Sequence, residues 1–158
     1  MPKHSEQRVL PYRPEQMFDL VADVARYPEF LPWCLAARIL KQGDSRLEAE
    51  LVIGFKGIKE RFVSIVDLDR ATYRIDVTYQ EGPFKFLENH WHFLPQDSNS
   101  CLLDFNVEFE FRSRVLQTLI GPLFNEAVRR MVHAFETRAE NLCGAQAGNA
   151  DANSHSPA

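Results

Sequence analysis

His90 and His92 stand two residues apart in a stretch of alternating hydrophobicity, so both imidazoles fall on one face of a strand. Such a pair can begin a metal site, but no third ligand is evident. His4 and His155 lie near the chain ends, and His133 lies in a helical stretch where a partly solvated face accounts for it. Cys34, Cys101 and Cys143 form no C-x-x-C pair and no zinc spacing, and read as reduced structural thiols. There is no G-x-S-x-G, no H-E-x-x-H and no phosphate loop. Glu48, Glu50, Asp104, Glu108 and Glu110 are the candidate carboxylates for a general acid–base pair, but their phase opposes the apolar residues and turns them to water. Glu60 differs. It shares parity with Phe62, Ser64 and Val66 and would face whatever they face, where a buried carboxylate needs a partner. Nothing here assembles a catalytic centre, and the expectation is a protein that is not an enzyme.

The elements that must position these residues belong to one domain. The chain has 158 residues, 45% hydrophobic and 25% charged, which is the globular range. Eighteen basic against 22 acidic residues leave −4, a poor balance for a DNA-binding protein. No apolar run reaches the roughly 18 residues of a membrane span. The opening residues Met1 to Glu6 carry neither a signal core nor an Arg-rich targeting pattern, which places the protein in the cytoplasm by expectation. Residues 144–158 hold no large apolar side chain and are expected to be a disordered tail behind a domain at 1–143.

Within the domain, Glu6 to Tyr12 reads as a first strand. Residues 14–24 follow as a helix opened by Pro14, and a short helix over 24–31 is stopped before Pro32. From there the period is two. Leu35, Ala37 and Ile39 alternate, then Leu47 to Phe55, Phe62 to Leu68, Tyr73 to Tyr79, Leu87 to Phe93, and Leu103 to Phe111, each set off by a short polar or Gly-containing turn. Short turns between successive strands make an antiparallel meander with one apolar face. The remaining long element is a helix over 113–142, whose apolar stripe includes Leu116, Leu119, Ile120, Val128, Met131 and Phe135. Gly121-Pro122 should kink it, either to follow a curved sheet or as a hinge that makes 114–121 a lid.

Four segments in order carry a resemblance. Tyr27-Pro28-Glu29-Phe30-Leu31-Pro32-Trp33-Cys34 resembles the signature of the coenzyme Q-binding protein family, within the START-like, or polyketide cyclase-like, superfamily. Gly54 to Phe62, then Gly82-Pro83-Phe84-Lys85 through Trp91 and Phe93, resemble its next two stretches. Val107 to Ser113, with Met131 and Ala134 to Ala139, resembles the last. The resemblance implies an α+β helix-grip fold: a seven-stranded antiparallel sheet wrapped around a long C-terminal helix, two short helices after the first strand, and a cavity between sheet and helix.

The chain has twelve Phe, four Tyr and two Trp. Most simply fill a core, but a helix on a curved sheet leaves a concave apolar gap. Strand parity and the family picture together place Trp33 at its mouth, Trp91, Phe62 and Phe105 on its floor, Asn89 and Ser64 where a polar head would lie, and Leu116, Leu119, Ile120 and Phe124 on the lid side. The implied function is non-catalytic binding of a polyprenylated quinone, ubiquinone foremost, as ligand rather than cofactor. Delivery to membrane respiratory or biosynthetic enzymes would bring the protein to the inner membrane, with Arg129 and Arg130 near anionic lipid. At about 0.8 kcal/mol per buried CH₂, one isoprene unit supplies roughly 3–4 kcal/mol gross. A few units in an apolar tunnel therefore exceed the roughly 8 kcal/mol of micromolar binding after ordering costs. Bacterial relatives in the same family are ribosome-association toxins that bind the large subunit and block subunit joining. Residues 112–143 carry five Arg against three Glu, a local +2 compatible with that role. The superfamily also holds aromatases and cyclases, for which this sequence offers no acid–base pair.

Overall fold

The computed structural model describes residues 3–55 and 57–144. The strands are β1 (Lys3–Leu10), β2 (Cys34–Gln42), β3 (Arg46–Phe55), β4 (Ile58–Asp69), β5 (Arg74–Glu81), β6 (Phe84–Asp97) and β7 (Ser100–Phe111). They form one antiparallel sheet in the order β1-β7-β6-β5-β4-β3-β2. The meander expected from period-two patterning is therefore present, with the first strand added beside the last. β1 ends sooner than Tyr12 because Pro11, with no N–H, cannot extend the ladder.

Between β1 and β2 the chain crosses from one edge of the sheet to the other through α1 (Pro14–Ala22) and a 3-10 turn (Val24–Glu29). Pro14 fits the first helical turn, and the Gln16 side-chain oxygen accepts the Arg13 N–H at 2.9 Å, satisfying a donor the helix leaves open. Met17, Phe18 and Val21 face inward from α1.

The C-terminal helix is broken where proline requires it. α2 (Arg114–Ile120) starts from Ser113, whose Oγ accepts the Leu116 N–H at 3.2 Å. A 3-10 turn (Gly121–Leu123) leads into α3 (Phe124–Ala139), and a π turn (Glu140–Gly144) follows. α3 buries Phe124, Val128, Val132, Phe135 and Ala139, a helical stripe on the concave face of the sheet, whereas α2 buries none of its residues. Among the described residues no helix is long and apolar enough to cross a membrane. The expected tail lies outside the described residues from position 145 on.

The expected row Leu35–Ala37–Ile39 fails at its first member. Leu35 is 53% exposed, because the pairing of β2 with β3 is irregular between Cys34 and Ala36 and the inward position goes to Cys34. The outer face of the sheet carries the charges. Arg61 bridges Glu50 at 2.6 Å, Arg46 meets Asp67 at 2.6 Å, and Lys41 lies 3.6 Å from Glu48. His90 Nδ1 meets Asp76 at 2.6 Å on that face, and no group of three metal-ligating side chains occurs among the described residues.

Candidate functional site

The concave face of the sheet and α3 do not close completely. They enclose a cavity of about 230 Å³. β4 supplies Glu60, Phe62, Ser64 and Val66 to its wall, and β6 supplies Leu87, Asn89 and Trp91. The helical side contributes Ile120, Phe124, Met131 and Phe135, and the segment before β2 contributes Tyr27, Leu31 and Trp33.

Two aromatic clusters hold its ends. At one, Phe84 sits among Phe62 (5.4 Å between centroids), Tyr79 (5.5 Å), Phe109 (5.6 Å) and Phe111 (4.9 Å). At the other, Phe135 of α3 lies edge-on to Trp91 (5.0 Å), Tyr27 (5.3 Å) and Phe30 (5.2 Å). All but the stacked Phe84–Phe111 pair are tilted and place positive ring edges against negative faces, adding to area burial in fixing the wall. Arg138 tightens the second cluster by reaching Glu29 at 2.9 Å with its guanidinium over the Phe30 ring.

The polar atoms of the wall are few and mostly occupied. Tyr27 donates its hydroxyl to the Val21 carbonyl, and burial pushes its phenol far above the ordinary range. Outside the wall, in the core next to Trp33, Cys34 donates to the Ala36 carbonyl at 3.6 Å, and burial pushes its thiol up to about 11. It is therefore a neutral, inert packing group at physiological pH. Asn89 accepts the Trp91 indole N–H at 2.7 Å and donates to the Asn106 carbonyl at 2.9 Å. One donor is different. Trp33 Nε1 is buried without a hydrogen-bond partner among the described residues. Glu60 is half-buried in the same wall and makes no ion pair or hydrogen bond with a described residue.

Seven of the ten residues expected at the site line the cavity: Trp33, Phe62, Ser64, Asn89, Trp91, Ile120 and Phe124. Phe105 has the expected parity but lies fully buried against Trp91, centroids 4.6 Å apart, as part of the core. Leu116 is half-buried against the core outside the cavity wall. Leu119 is 52% exposed, because the helix breaks at Pro122 and the stripe of α3 does not continue in phase through α2. Tyr27, Met131 and Phe135 line the cavity too. Tyr27 belongs to the segment that carries the family resemblance, and Met131 and Phe135 belong to the apolar stripe of the helix expected to cover the sheet.

The profile of the family described as polyketide cyclase / dehydrase and lipid transport matches residues 10–136. The chain belongs to that family. Among its relatives, the ribosome association toxin RatA of Rickettsia prowazekii is 41% identical over 138 residues, covering 85% of this chain and 94% of the relative. The mitochondrial coenzyme Q-binding protein COQ10 homolog B of Xenopus laevis is 38% identical over 148 residues, covering 91% of this chain and 60% of the relative. The solution structure of an 18 kDa protein from Caulobacter crescentus is 36% identical and superposes with a TM-score of 0.74, covering 91% of this chain and 99% of that one. The helix-grip architecture, a curved antiparallel sheet around a C-terminal helix, is thus both observed and shared.

No described histidine lines the cavity, and no nucleophile–base pair is formed in its wall. The arrangement can desolvate an apolar molecule and offer it a small set of polar anchors.

Proposed function

We propose that the protein binds a polyprenylated quinone, ubiquinone foremost, in this cavity and carries it without chemical turnover. The observation that carries the reading is the Trp33 Nε1–H, buried without a partner among the described residues, in a wall made mostly of apolar side chains. A quinone's carbonyls only accept, so such a ligand would satisfy that donor, while its isoprene units replace water against phenyl and aliphatic walls. At about 230 Å³ the cavity is smaller than the 300–1,000 Å³ or so of drug-sized sites. It suits a ring and the start of a prenyl chain, with the rest of a long tail lying outside. The name of the Xenopus relative supports the same class of ligand. Exposed Val115 and Leu119 on α2, beside Arg114, offer an apolar contact for the membrane from which such a lipid is drawn and to which it returns.

Organic extraction of the purified, folded protein, followed by mass spectrometry and a redox-sensitive ultraviolet spectrum, tests this. A prenylated quinone should appear at near-stoichiometric amount and fall sharply in Ala127→Phe, which fills the cavity from α3. No lipid, together with no uptake from quinone-loaded vesicles, sinks the reading.

A second reading is association with the large ribosomal subunit, favoured by the name of the Rickettsia relative at 41% identity. On α3, Arg129 is exposed and Arg130 is held by Glu126 at 2.7 Å, so the cationic face available to RNA is narrow. Salt-sensitive cosedimentation with large subunits would support this role, and the two functions do not exclude each other.

A further inference from the structure

We infer that the cavity selects a ligand head bearing a hydroxyl as well as an acceptor oxygen, and so holds a hydroquinone in preference to the corresponding quinone. The inference rests on the carrier reading and adds which redox form is kept.

Two side chains of opposite hydrogen-bonding character, neither with a partner among the described residues, line the cavity from either side of the end of β3. Trp33 Nε1 is a donor only, buried and without a partner among the described residues. The Glu60 carboxylate is an acceptor only and has none either. The register places them together. Glu60 on β4 is opposite Ile53 on β3, Ile53 is opposite Cys34 on β2, and the Gly54 N–H donates to the Trp33 carbonyl at 2.8 Å. Their backbones thus flank the end of β3, about 10 Å apart across two strand spacings, with both side chains in the cavity wall. The other polar atoms nearby are satisfied within the fold, as Tyr27 is by Val21 and Asn89 by Trp91 and Asn106. Ser64 lies four residues farther along β4, roughly 13 Å away along the strand.

A quinone satisfies half of this pair. Its carbonyl accepts from Trp33, but its other oxygen turns a negative dipole toward Glu60. A hydroquinone satisfies both: one oxygen accepts the indole N–H, and a phenolic O–H donates to the carboxylate in a charge-assisted bond. No electron moves to or from the protein. Selective binding alone shifts the couple, and a tenfold preference for the reduced form raises the midpoint of the bound couple by about 30 mV.

Anaerobic titration calorimetry with three probes tests this: 2,3-dimethoxy-5-methyl-1,4-benzoquinone carrying one prenyl unit, its hydroquinone, and the hydroquinone's dimethyl ether. The hydroquinone should bind at least tenfold tighter than either other probe, the scale of one charge-assisted hydrogen bond. Glu60→Leu should bring it to the level of the ether. Trp33→Phe should weaken all three and keep their order. Equal binding of quinone and hydroquinone, or a preference that survives Glu60→Leu, overturns this inference and leaves the carrier reading standing. Binding of none of the three to folded protein removes both. Should Glu60→Leu fail to fold, the quinone decides on the unmodified protein, since it keeps the ring substituents and both oxygens and lacks only the two O–H hydrogens.

Discussion

Trp91 donates its indole Nε1–H to Asn89 Oδ1 at 2.7 Å, from two residues along the same strand. Asn89 in turn donates to the Asn106 carbonyl at 2.9 Å, so the amide joins the cavity floor to β7. The indole donor of the floor is thus satisfied within the fold. Asn89→Leu would strand the indole donor and free the carbonyl, costing about 1–3 kcal/mol in urea unfolding. A change under about 0.5 kcal/mol would show that water or a rearranged side chain replaces the amide.

Two glycines separate backbone strain from steric conflict. Gly82 has φ 139°, and an added methyl would stand 2.6 Å from Phe62 Cβ and 2.9 Å from the Arg61 carbonyl. Gly57 has φ 82° and nothing within 4 Å. Gly57→Ala should cost about 1–2 kcal/mol, the price of a left-handed conformation. Gly82→Ala should cost about 3 kcal/mol or more and, by displacing Phe62, should also reduce ligand retention. Thermal melts and lipid content of both variants check this, and equal losses would contradict the clash.

Acid stability has an identifiable contributor. The hydrogen bond from Arg61 to Glu50, with the charges of Arg38 and Arg61, holds the Glu50 carboxyl below its ordinary 4.5 against the opposing effect of desolvation. A depressed folded value means the contribution is complete above about pH 4.5 and is lost as pH falls through the lower folded value. Glu50→Gln should therefore flatten the decline of stability below that pH, most visibly at low salt. Urea midpoints from pH 7 to pH 3 that run parallel in the two proteins would exclude the pair as a contributor.

The break before α3 permits a stabilising change. Gly121 has helical angles, φ −48° and ψ −53°, and no heavy atom within 4 Å of an added methyl. Gly121→Ala should raise stability by about 0.4–1 kcal/mol through the unfolded chain. A loss would mean that the turn adopts a non-helical conformation for part of the time.

Leu119 separates cavity from docking. It is 52% exposed, so Leu119→Glu should leave stability within about 0.5 kcal/mol and leave binding of a water-soluble quinone unchanged. It should slow uptake of quinone from anionic vesicles, by removing an apolar anchor and adding a repelled charge. Unchanged uptake would remove α2 from the membrane contact.

Strand parity was legible wherever a strand stayed regular. Leu103, Phe105, Val107, Phe109 and Phe111 alternate without interruption, and β7 follows them. Parity assigns a face but does not say whether a void stands in front of it, so Phe105 and Trp91 looked alike although only Trp91 meets the cavity. Leu35 was misplaced by an irregularity that leaves no mark in hydrophobic spacing. Leu119 was misplaced by carrying a helical stripe across Pro122, where the phase restarts. The character of Trp33 was beyond reach, since having no partner is a property of everything around an atom rather than of the residue itself.

The pairing of β1 with β7, Lys3 opposite Glu108 through Leu10 opposite Cys101, makes the first strand synthesised wait for the last. At about 5–20 residues per second, roughly 5–20 s pass between the translation of Lys3 and that of its mate. So distant a closure belongs to slow, high-contact-order folding, in which the loop entropy must be overcome before the contact forms. α3 is translated later still. Until α3 packs onto the meander, its concave aromatic surface is open to whatever lipid, chaperone or neighbouring nascent chain is at hand.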